Sequence, residues 1–363
     1  MGRRGPTLHE IARDAGVSIA TVSRVARGVG QVSPETRRKV QEAIDRHGFR
    51  PHHAGRALVK RRHAALGIVF PGLSGPYYSD VIAGFEEEAL KARVSVLIMG
   101  THFLRQSVDM VFDMADRVDG LAVMGGVIPE GAIRRLVDRG VPVVLLASAP
   151  LVGVPTVRTE NLAAMARLTT HLLADHGYEN LVFVGNPDGS PDATYRWQGF
   201  LQAHHRLGVE PPKEPIRVGL QQSHGFIAVS RLLDENQRPR AIVCANDETA
   251  LGAVVAVMDR GLRVPEDVAV TGFDDISMAG LAASGLTTVH QPMQELGAET
   301  ARRLLRHVEG QLDVSLDRVL ETQVVIRGSC GCGATDAHGA RGVDADTSTK
   351  RPSRSSQVTR RKK

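Results

Sequence analysis

The hydrophobic pattern divides the chain into a short helical head and a long region in which strands and helices alternate. In the head, Leu8, Ile11, Ala12 and Ala15 are spaced to form one face of a helix. From residue 64 onward, short apolar runs such as "AALGIVF" alternate with helically spaced segments. This alternation is typical of parallel sheets flanked by helices. Because it runs through two consecutive series, the second of which ends in a long helix near 293–310, we expect an α/β core of two similar lobes, with a cleft where the carboxyl ends of the strands converge.

Local capping signals define three helices in the head. Thr7 and Glu10 form a Thr-x-x-Glu capping box, and Gly16 can end the first helix. Ser18 can cap a second helix only two residues later, and Ser33, followed by proline, opens a third. Two short helices joined by a glycine-containing turn, followed by a third helix, predict an all-α helix-turn-helix domain over residues 1–49.

The second helix has an outer face that packing alone does not explain. Val22 and Val25 can face inward against the other helices, which leaves Ile19, Ala20 and Arg24 outside. Arg24 can donate two hydrogen bonds to guanine, and short apolar side chains can meet thymine methyl groups in a major groove. A helix-turn-helix unit without DNA contact is the alternative. The composition of this face favours DNA binding.

The charge distribution also indicates a polyanionic partner for the head. Residues 1–62 contain 14 Lys and Arg against 5 Asp and Glu, and residues 333–363 contain 8 against 3. Because the net charge of the whole chain is only +5, residues 63–332 carry a net charge of −9. A basic head on an acidic body is typical of a polyanion-binding module attached to a regulatory or catalytic domain. Solvated surface charge without a partner is the alternative.

Composition argues against membrane and secreted classes. No apolar run approaches the roughly 20 residues that a membrane span needs. The start, "MGRRGPTLHE", has no apolar segment of a secretory signal behind its charges. Three cysteines in 363 residues indicate a reducing compartment rather than a disulfide framework. We therefore expect a cytoplasmic protein.

The stretch "TLHEIARDAGVSIATVSRVARGVGQVSPETRRKVQEAIDRHGFRPHHAGRAL" resembles the DNA-binding head of the lac repressor family of bacterial transcription regulators. The motifs that carry the resemblance include "AGVS", "TVSRV" and "GF-P". It implies that residues 50–62 form a hinge that folds on the operator, where Leu58 from two subunits wedges into the minor groove. A basic linker in which Leu58 has no role is the alternative. The implied DNA contacts are Ile19, Ala20 and Arg24 to bases and Thr7, Ser18, Thr21 and Ser23 to phosphates.

Residues 63–332 resemble the periplasmic-binding-protein-like core of the same family, as in "ANDETALGA" and "GLRVPEDVAVTGFDDI". The resemblance implies a homodimeric repressor that binds a double-stranded DNA operator and responds to a small-molecule effector, in our interpretation a sugar or sugar derivative. Asp247 follows a strand but is expected to cap the next helix rather than to touch the effector. The candidate effector-binding residues are Ser74, Tyr77 and Tyr78 from the first series (the near lobe) and Arg196, Asn246, Asp274 and Gln291 from the second (the far lobe).

Departures from the family pattern leave the effector open. Leu220 stands where many sugar-responsive relatives have an aromatic platform, and Ala147 and Ser148 stand where an aspartate is frequent. A nucleobase or a small phosphorylated ligand is therefore an alternative to a sugar. Arg196 could also form a salt bridge between the lobes instead of binding a ligand.

The sequence gives little support to catalysis or to a cofactor. It has no Gly-rich phosphate loop, no His-Glu-x-x-His and no Gly-x-Ser-x-Gly. Asp274 and Asp275 are adjacent, so in a strand they would point to opposite faces, which is poor for a dicarboxylate metal site. Cys330 and Cys332 form a lone Cys-x-Cys without a second pair at ligand spacing, so we expect reduced thiols and no metal. We expect neither an enzyme nor a cofactor.

The tail, residues 333–363, is rich in Ser, Thr and Arg and is predicted to be disordered. It lacks the leucine heptads by which some relatives form tetramers, so we expect a dimer. Three other functions remain alternatives: a solute-binding receptor, an enzyme that uses the cleft, and an architectural DNA binder that ignores small molecules. The attached helix-turn-helix unit argues against the first.

Overall fold

The computed structural model describes residues 7–27, 30–48, 63–104, 106–282, 284–311 and 315–333. The predicted hinge, with Leu58, and the predicted disordered tail after Gly333 lie outside the described residues. The head contains three helices, α1 (Leu8–Asp14), α2 (Ile19–Arg27) and α3 (Pro34–His47).

Each helix of the head begins at the cap that the sequence predicts. The backbone N–H of Thr7 donates to Glu10 Oε2 (2.6 Å), and that of Glu10 donates to Thr7 Oγ1 (3.4 Å), which completes the capping box. Ser18 Oγ accepts a hydrogen bond from the Thr21 backbone (3.1 Å), and Ser33 caps α3 in the same way. These caps satisfy backbone N–H groups that have no partner inside the helix.

The three helices pack around a small core of their own. Ile11, Val22 and Val40 are fully buried, and Val25 is 8 % exposed, so the prediction that Val22 and Val25 face inward is confirmed. Burying one such aliphatic side chain contributes about 1.5–3 kcal/mol, which makes these few contacts the main support of a unit this small.

Beyond the head, the described elements form two α/β lobes. In chain order they are β1 (Ala65–Phe70), α4 (Pro76–Lys91), β2 (Ser95–Gly100), α5 (Ser107–Ala115), β3 (Gly120–Met124), α6 (Glu130–Asp138), β4 (Val143–Leu146), β5 (Thr156–Thr159), α7 (Leu162–Thr170), β6 (Leu181–Val184), α8 (Pro191–Leu207), α9 (Gln222–Asp234), β7 (Ala241–Cys244), α10 (Asp247–Asp259), β8 (Ala269–Thr271), β9 (Thr288–His290), α11 (Met293–Val308), β10 (Asp317–Leu320) and β11 (Gln323–Val325). A π-helical turn, His171–Asp175, follows α7, and short 3-10 turns cover Pro187–Gly189, Ser277–Gly280 and Gly328–Cys330.

Each lobe is built on its own parallel sheet, as the alternation predicts. The near-lobe sheet has the strand order β10-β5-β4-β3-β1-β2, and every adjacent pair in it is parallel. The far-lobe sheet has the order β6-β7-β8, also parallel, and β9 beside it pairs antiparallel with β11. The inner strands of both sheets are nearly all buried, because helices cover both faces, whereas the edge strands β2 and β10 of the near-lobe sheet are partly exposed.

The chain passes between the lobes three times in the described residues, after β5, after β9 and after β10. The sequence pattern grouped the long helix near 293–310 with the far lobe, and this is wrong, because α11 packs against α4 in the near lobe. Gly84 and Gly297 allow this close approach: a Cβ at Gly84 would overlap the backbone of Gln294, and one at Gly297 would overlap that of Val81. Among the helices that the structure describes, none has the length and apolar character that a membrane span requires.

Candidate functional site

The outer face of α2 presents the side chains that the sequence assigned to base contacts. Ile19 is 39 % exposed, and Ala20 and Arg24 are exposed beside it, while Val22 and Val25 hold the opposite face in the core. An exposed isoleucine and an exposed arginine next to small side chains form a surface that a DNA groove can accept. The structure therefore brings the three candidate base contacts together on one helix face.

The candidate phosphate contacts lie close to the N-termini of α1 and α2. Thr7 is the N-cap of α1, and Ser18 Oγ lies 2.9 Å from Thr21 Oγ1 at the start of α2. Backbone N–H groups at helix N-termini are favourable partners for phosphate oxygens. Ser23 is half-buried on the flank of α2.

Gly30 is a residue of this face that sequence reasoning missed. It has a φ of +81°, and a Cβ built on it would lie 3.3 Å from Cδ of Arg24. The glycine therefore leaves room for the aliphatic part of Arg24. No sequence signal connected the two residues, since the contact depends on the path of the chain after α2.

A cavity of about 500 Å³ lies between the lobes. From the near lobe it is lined by Pro71, Gly72, Ser74, Tyr77, Tyr78, His102, Phe103, Met124, Gly125 and Ala147. From the far lobe it is lined by Asn186, Gly189, Ser190, Asp192, Ala193, Arg196, Val218, Gly219, Leu220, Gln221, His224, Asn246, Glu248 and Asp274. Six of the seven candidate effector-binding residues belong to this lining, and Gln291 does not.

Arg196 is held rigidly in the far-lobe wall by α8. Its Nε donates to Asn161 Oδ1 (2.7 Å), and its Nη1 donates to the backbone oxygen of Ala245 (2.7 Å). Its guanidinium lies over the ring of Phe273, 3.8 Å from the ring centroid. The side chain is 4 % exposed, so a buried cation sits at the base of the cavity with a fixed orientation.

Two carboxyl groups flank this cation. Asp274 Oδ1 lies 3.4 Å from Arg196 Nη1, and Asp192 Oδ2 lies 3.9 Å from Arg196 Nη2. Both partners belong to the far lobe, so the ion pairs of Arg196 do not join the two lobes, in contrast to the alternative considered from the sequence. Asp192 was missed there, although its position four residues before Arg196 places both on one face of α8. Burial raises the pKa of Asp192, and the neighbouring arginines oppose this.

Asp274 has a strained backbone, with a φ of +121°, and is 3 % exposed. Gln291 Nε2 donates to its Oδ1 (2.6 Å), and its Oδ2 makes no hydrogen bond to the described residues. Burial raises the pKa of Asp274 to about 7, although the charge of Arg196 and the hydrogen bond from Gln291 act in the opposite direction. Asp275 next to it pairs instead with Arg327 (2.7 Å), so the adjacent carboxyl groups have separate surroundings.

Gln291 lies behind Asp274 and links it to the junction of the lobes. Its amide donates to Asp274, and its Oε1 accepts a hydrogen bond from Thr159 Oγ1 (2.7 Å), at the end of β5. Asn161, two residues later, donates to the backbone oxygen of Thr159 (3.1 Å) and accepts from Arg196. Arg196 is therefore hydrogen-bonded directly to the first crossover between the lobes, and Asp274 is linked to its start through Gln291.

Asn246, rather than Asp247, caps α10. Its Oδ1 accepts from the Thr249 backbone (3.1 Å), and its Nδ2 donates to the backbone oxygen of Leu220 (2.9 Å). The expectation that Asp247 is the cap is therefore wrong. Asp247 is fully buried and accepts a hydrogen bond from the Ile276 backbone (2.9 Å), which is a structural role.

The near-lobe wall is aromatic. The rings of Tyr77 and Tyr78 meet edge to face with their centroids 5.5 Å apart. Burial raises the pKa of Tyr78 to about 12 and raises that of Tyr77 above its ordinary value, so both are neutral phenols at physiological pH. The hydroxyl of Tyr77 and Nδ1 of His224 are buried without a hydrogen-bond partner among the described residues. Unpaired polar atoms in a cavity wall indicate a polar ligand.

Phe103 and His102 also line the cavity and were missed in the sequence. They directly follow β2, where the rule that ligands meet the carboxyl ends of strands could have found them. Phe103 is 63 % exposed and offers an aromatic face, which Leu220 on the opposite wall does not. Ser74 accepts a hydrogen bond from Gln221 Nε2 (3.3 Å) across the two lobes.

The Cys-x-Cys segment has a second pair of ligand-type side chains beside it. The fold brings His171 and His176 next to Cys330 and Cys332, although the sequence has no second pair at ligand spacing. The two histidines are 154–161 residues away from the cysteines in sequence, so their spacing gave no signal.

The fold, the exposed face of α2 and the cavity between the lobes together define a regulator with a DNA-binding head and a two-lobed ligand-binding core. Residues 7–52 match the family of bacterial regulatory proteins described as the lacI family, and residues 170–330 match a periplasmic binding protein-like domain. The lac repressor dimer bound to operator and the anti-inducer ONPF superposes with a TM-score of 0.80 and is 26 % identical, over 90 % of this chain and 99 % of that chain.

Curated relatives match over nearly the whole chain. The HTH-type transcriptional repressor CytR of Escherichia coli K12 is 32 % identical over 329 residues, which cover 89 % of this chain and 96 % of the relative. Catabolite control protein A of Priestia megaterium is 32 % identical over 310 residues, which cover 83 % and 92 %. The chain belongs to the lacI family of bacterial transcription regulators, which are DNA-binding proteins and not enzymes.

Proposed function

We propose that this protein is a dimeric, cytoplasmic repressor whose operator affinity is controlled by a sugar or sugar derivative in the interlobe cavity. The observation that carries the proposal is the group at the base of the cavity: the fixed cation of Arg196 between Asp192 and Asp274 in the far-lobe wall. The hydroxyl of Tyr77 in the near-lobe wall has no hydrogen-bond partner among the described residues. Carboxylate oxygens, a guanidinium and a phenol supply both donors and acceptors for a ligand with several hydroxyl groups.

The charges in the cavity favour a neutral ligand over a phosphorylated one. Arg196 already lies within 4 Å of two carboxyl groups, and Glu248 adds a third acidic side chain to the lining. A phosphate in the cavity would face this excess of acidic groups, which costs free energy. Sugar rings also have apolar C–H faces, which can lie against Phe103 and Tyr78.

The solved structures that resemble this chain support sugar chemistry. The transcriptional regulator CelR was solved as a complex with cellobiose and matches with 28 % identity and a TM-score of 0.66, over 89 % of this chain. A lac repressor structure with bound ONPG matches with 26 % identity and a TM-score of 0.79. A nucleoside, which carries a ribose and a base, is the second candidate, since its hydroxyls would satisfy the same acceptors.

On the DNA side, the proposal assigns Ile19, Ala20 and Arg24 to base edges in the major groove. Thr7, Ser18, Thr21 and Ser23 contact phosphates, and Leu58 in the hinge 50–62 wedges into the minor groove. The support is the exposed face of α2, the basic head and the match to a repressor dimer solved on its operator. Because two heads read two half-sites, the operator is nearly palindromic.

The coupling runs through the first crossover. Asp274 is linked to Thr159 through Gln291, and Arg196 is linked to Thr159 through Asn161, so one side chain separates each ligand-binding group from the end of β5, where the first crossover begins. A ligand that draws the lobes together acts on this crossover through Gln291 and Asn161. It can shift operator affinity only by binding the two lobe arrangements unequally.

Two measurements on the full-length protein test the proposal. Thermal unfolding is followed with D-glucose, D-ribose, cellobiose, cytidine, adenine and glucose 6-phosphate, and a stabilising compound is then titrated against the protein on its selected operator. We expect a neutral sugar or nucleoside to raise the unfolding temperature and to change operator affinity. Stabilisation by glucose 6-phosphate alone would overturn the neutral-ligand proposal, and binding without an effect on the operator would overturn the regulatory one.

A further inference from the structure

The far lobe holds a second group of reactive side chains, none of which lines the interlobe cavity. His171 and His176 lie at the two ends of the π-helical turn, and Cys330 and Cys332 lie in the turn that ends the described chain. One ligand-type atom from each of the four residues lies within 4.8 Å of all the others. All four residues are buried or half-buried.

Four of the six distances in this cluster match the edges of a metal tetrahedron, and the other two are within 4.8 Å. His171 Nε2 lies 3.6 Å from Cys330 Sγ and 3.6 Å from Cys332 Sγ, and His176 Nε2 lies 3.5 Å from Cys332 Sγ. The two Nε2 atoms are 3.2 Å apart. Ideal tetrahedral zinc has nitrogen–sulfur edges of about 3.6 Å and nitrogen–nitrogen edges of about 3.3 Å, given its bond lengths of about 2.3 Å to sulfur and 2.0–2.1 Å to nitrogen.

Neighbouring groups orient the ligands. Asp175 Oδ2 lies 2.8 Å from His171 Nδ1, so the carboxylate can accept the Nδ1 proton and leave the Nε2 lone pair directed at the cysteines. This carboxylate–histidine pairing is the usual outer contact of a zinc-binding histidine. The ring of His176 stacks on Tyr178 (centroids 4.9 Å apart), and the Tyr178 hydroxyl donates to the backbone oxygen of Cys330 (3.1 Å).

We propose that His171, His176, Cys330 and Cys332 bind one zinc ion in a closed structural site. Two imidazoles and two thiolates fill all four positions of a tetrahedral ion, which leaves none for a substrate. Mixed sulfur and nitrogen ligands in a tetrahedron suit zinc better than calcium or magnesium, which take oxygen ligands. The proposal is independent of the effector and of the DNA contacts.

The position of the site indicates a structural role for the ion, which is to attach the last described segment of the chain to the far lobe. After its third passage between the lobes the chain returns to the far lobe, where β11 adds only Gln323–Val325 antiparallel to β9. A three-residue strand is a weak attachment. Zinc binding attaches the turn that follows this strand to the end of α7, and Ser329 Oγ there accepts a hydrogen bond from the Thr287 backbone N–H (2.8 Å). The ion therefore holds the final crossover in place.

The first test is the metal content of the full-length protein, expressed in zinc-supplemented medium and purified with reductant and without chelator. Mass spectrometry of metals should find one zinc per chain. Cys332→Ser and His176→Gln should lose it. The matched controls Cys244→Ala and His205→Gln, a cysteine and a histidine outside the cluster, should keep it. A wild-type protein without zinc, or ligand variants that retain it, would overturn the proposal.

A second measurement keeps the test valid even if a ligand variant fails to fold. Wild-type protein stripped with a chelator should unfold at a lower temperature, and added Zn²⁺ should restore it. Asp175→Asn, which keeps all four ligands, should bind zinc about 10–100-fold more weakly. Cobalt in place of zinc should give the visible spectrum of a tetrahedral thiolate site. The assignment would be contradicted if neither chelator nor Zn²⁺ changed the unfolding temperature, or if the purified protein contained a disulfide between Cys330 and Cys332.

Discussion

Replacing Asp274 with asparagine should separate two effects of this carboxyl group: its contribution to ligand binding and the free-energy cost of burying its charge in the folded protein. Asparagine has the same shape and is among the residues that best tolerate a positive φ, which this position requires. It can still accept the hydrogen bond from Gln291. The substitution therefore removes the charge of the side chain and little else.

The raised pKa of Asp274 determines the sign and the approximate size of the change in unfolding free energy. Burial raises the pKa of Asp274 from 3.8 to about 7. Between these values the folded state keeps a proton that the unfolded state has lost, so stability falls as pH rises through this range, and the full cost is present above pH 7. At about 1.4 kcal/mol per pKa unit the ceiling is about 4 kcal/mol. The attraction to Arg196 is already included in this net shift, and relaxation of the site around the buried charge lowers the cost, so we expect Asp274→Asn to stabilise the ligand-free protein by about 1–3 kcal/mol at pH 8 and not at pH 4.

Urea unfolding at the two pH values measures this directly. Trp197, the only tryptophan, packs in the far lobe against Phe200 and Phe183, so its fluorescence reports the unfolding of that lobe. Asp138→Asn, an exposed carboxylate in the near lobe, is the control and should change nothing. A variant that is less stable than wild type at pH 8, or equally stabilised at both pH values, would refute the electrostatic reasoning. The same variant should no longer respond to the effector, while ligand-free operator binding stays near wild type.

Three further predictions concern the head, the hinge and the aromatic wall. Arg24→Ala should cost about 1–3 kcal/mol on the cognate operator and relax the base preference, as measured by binding to a series of operator variants; an equal loss on all sequences would reassign Arg24 to phosphate contact. Leu58→Ala should reduce operator bending in a circular-permutation gel and leave non-specific binding nearly unchanged; unaltered bending would remove Leu58 from the mechanism. Tyr77→Phe should leave ligand-free stability unchanged or higher, because its buried hydroxyl has no hydrogen-bond partner among the described residues, and should weaken effector binding about 5–10-fold in calorimetry; unweakened binding would show that this hydroxyl does not contact the effector.

The sequence predicted best what depends on local physics. The caps at Thr7, Ser18 and Ser33 follow from side chains that reach backbone groups two or three residues away. The burial of the Val22 side chain in the core of the head follows from helical spacing alone. The resemblance to the lac repressor family supplied Arg196 and the near-lobe candidates, and the polar residues after the strands supplied Asn246 and Asp274; all of these line one cavity.

What the sequence did not predict depends on contacts between distant segments. Helix α11 follows the far-lobe series in sequence but belongs to the near lobe, because the chain crosses over before it. Gln291 comes directly after a strand yet lies behind Asp274, where no spacing rule could put it. His171 meets Cys330 only because β11 returns to the far lobe after a third crossover.

The affinity of the full-length protein for its operator, measured by fluorescence anisotropy with and without the compound that stabilises the core, tests the central claim most directly. The account predicts that saturating ligand changes the dissociation constant by about 5–150-fold in wild type. It predicts no change in Asp274→Asn at the same ligand concentration. A wild-type protein that binds the ligand in its cavity and holds the operator with unaltered affinity would contradict it.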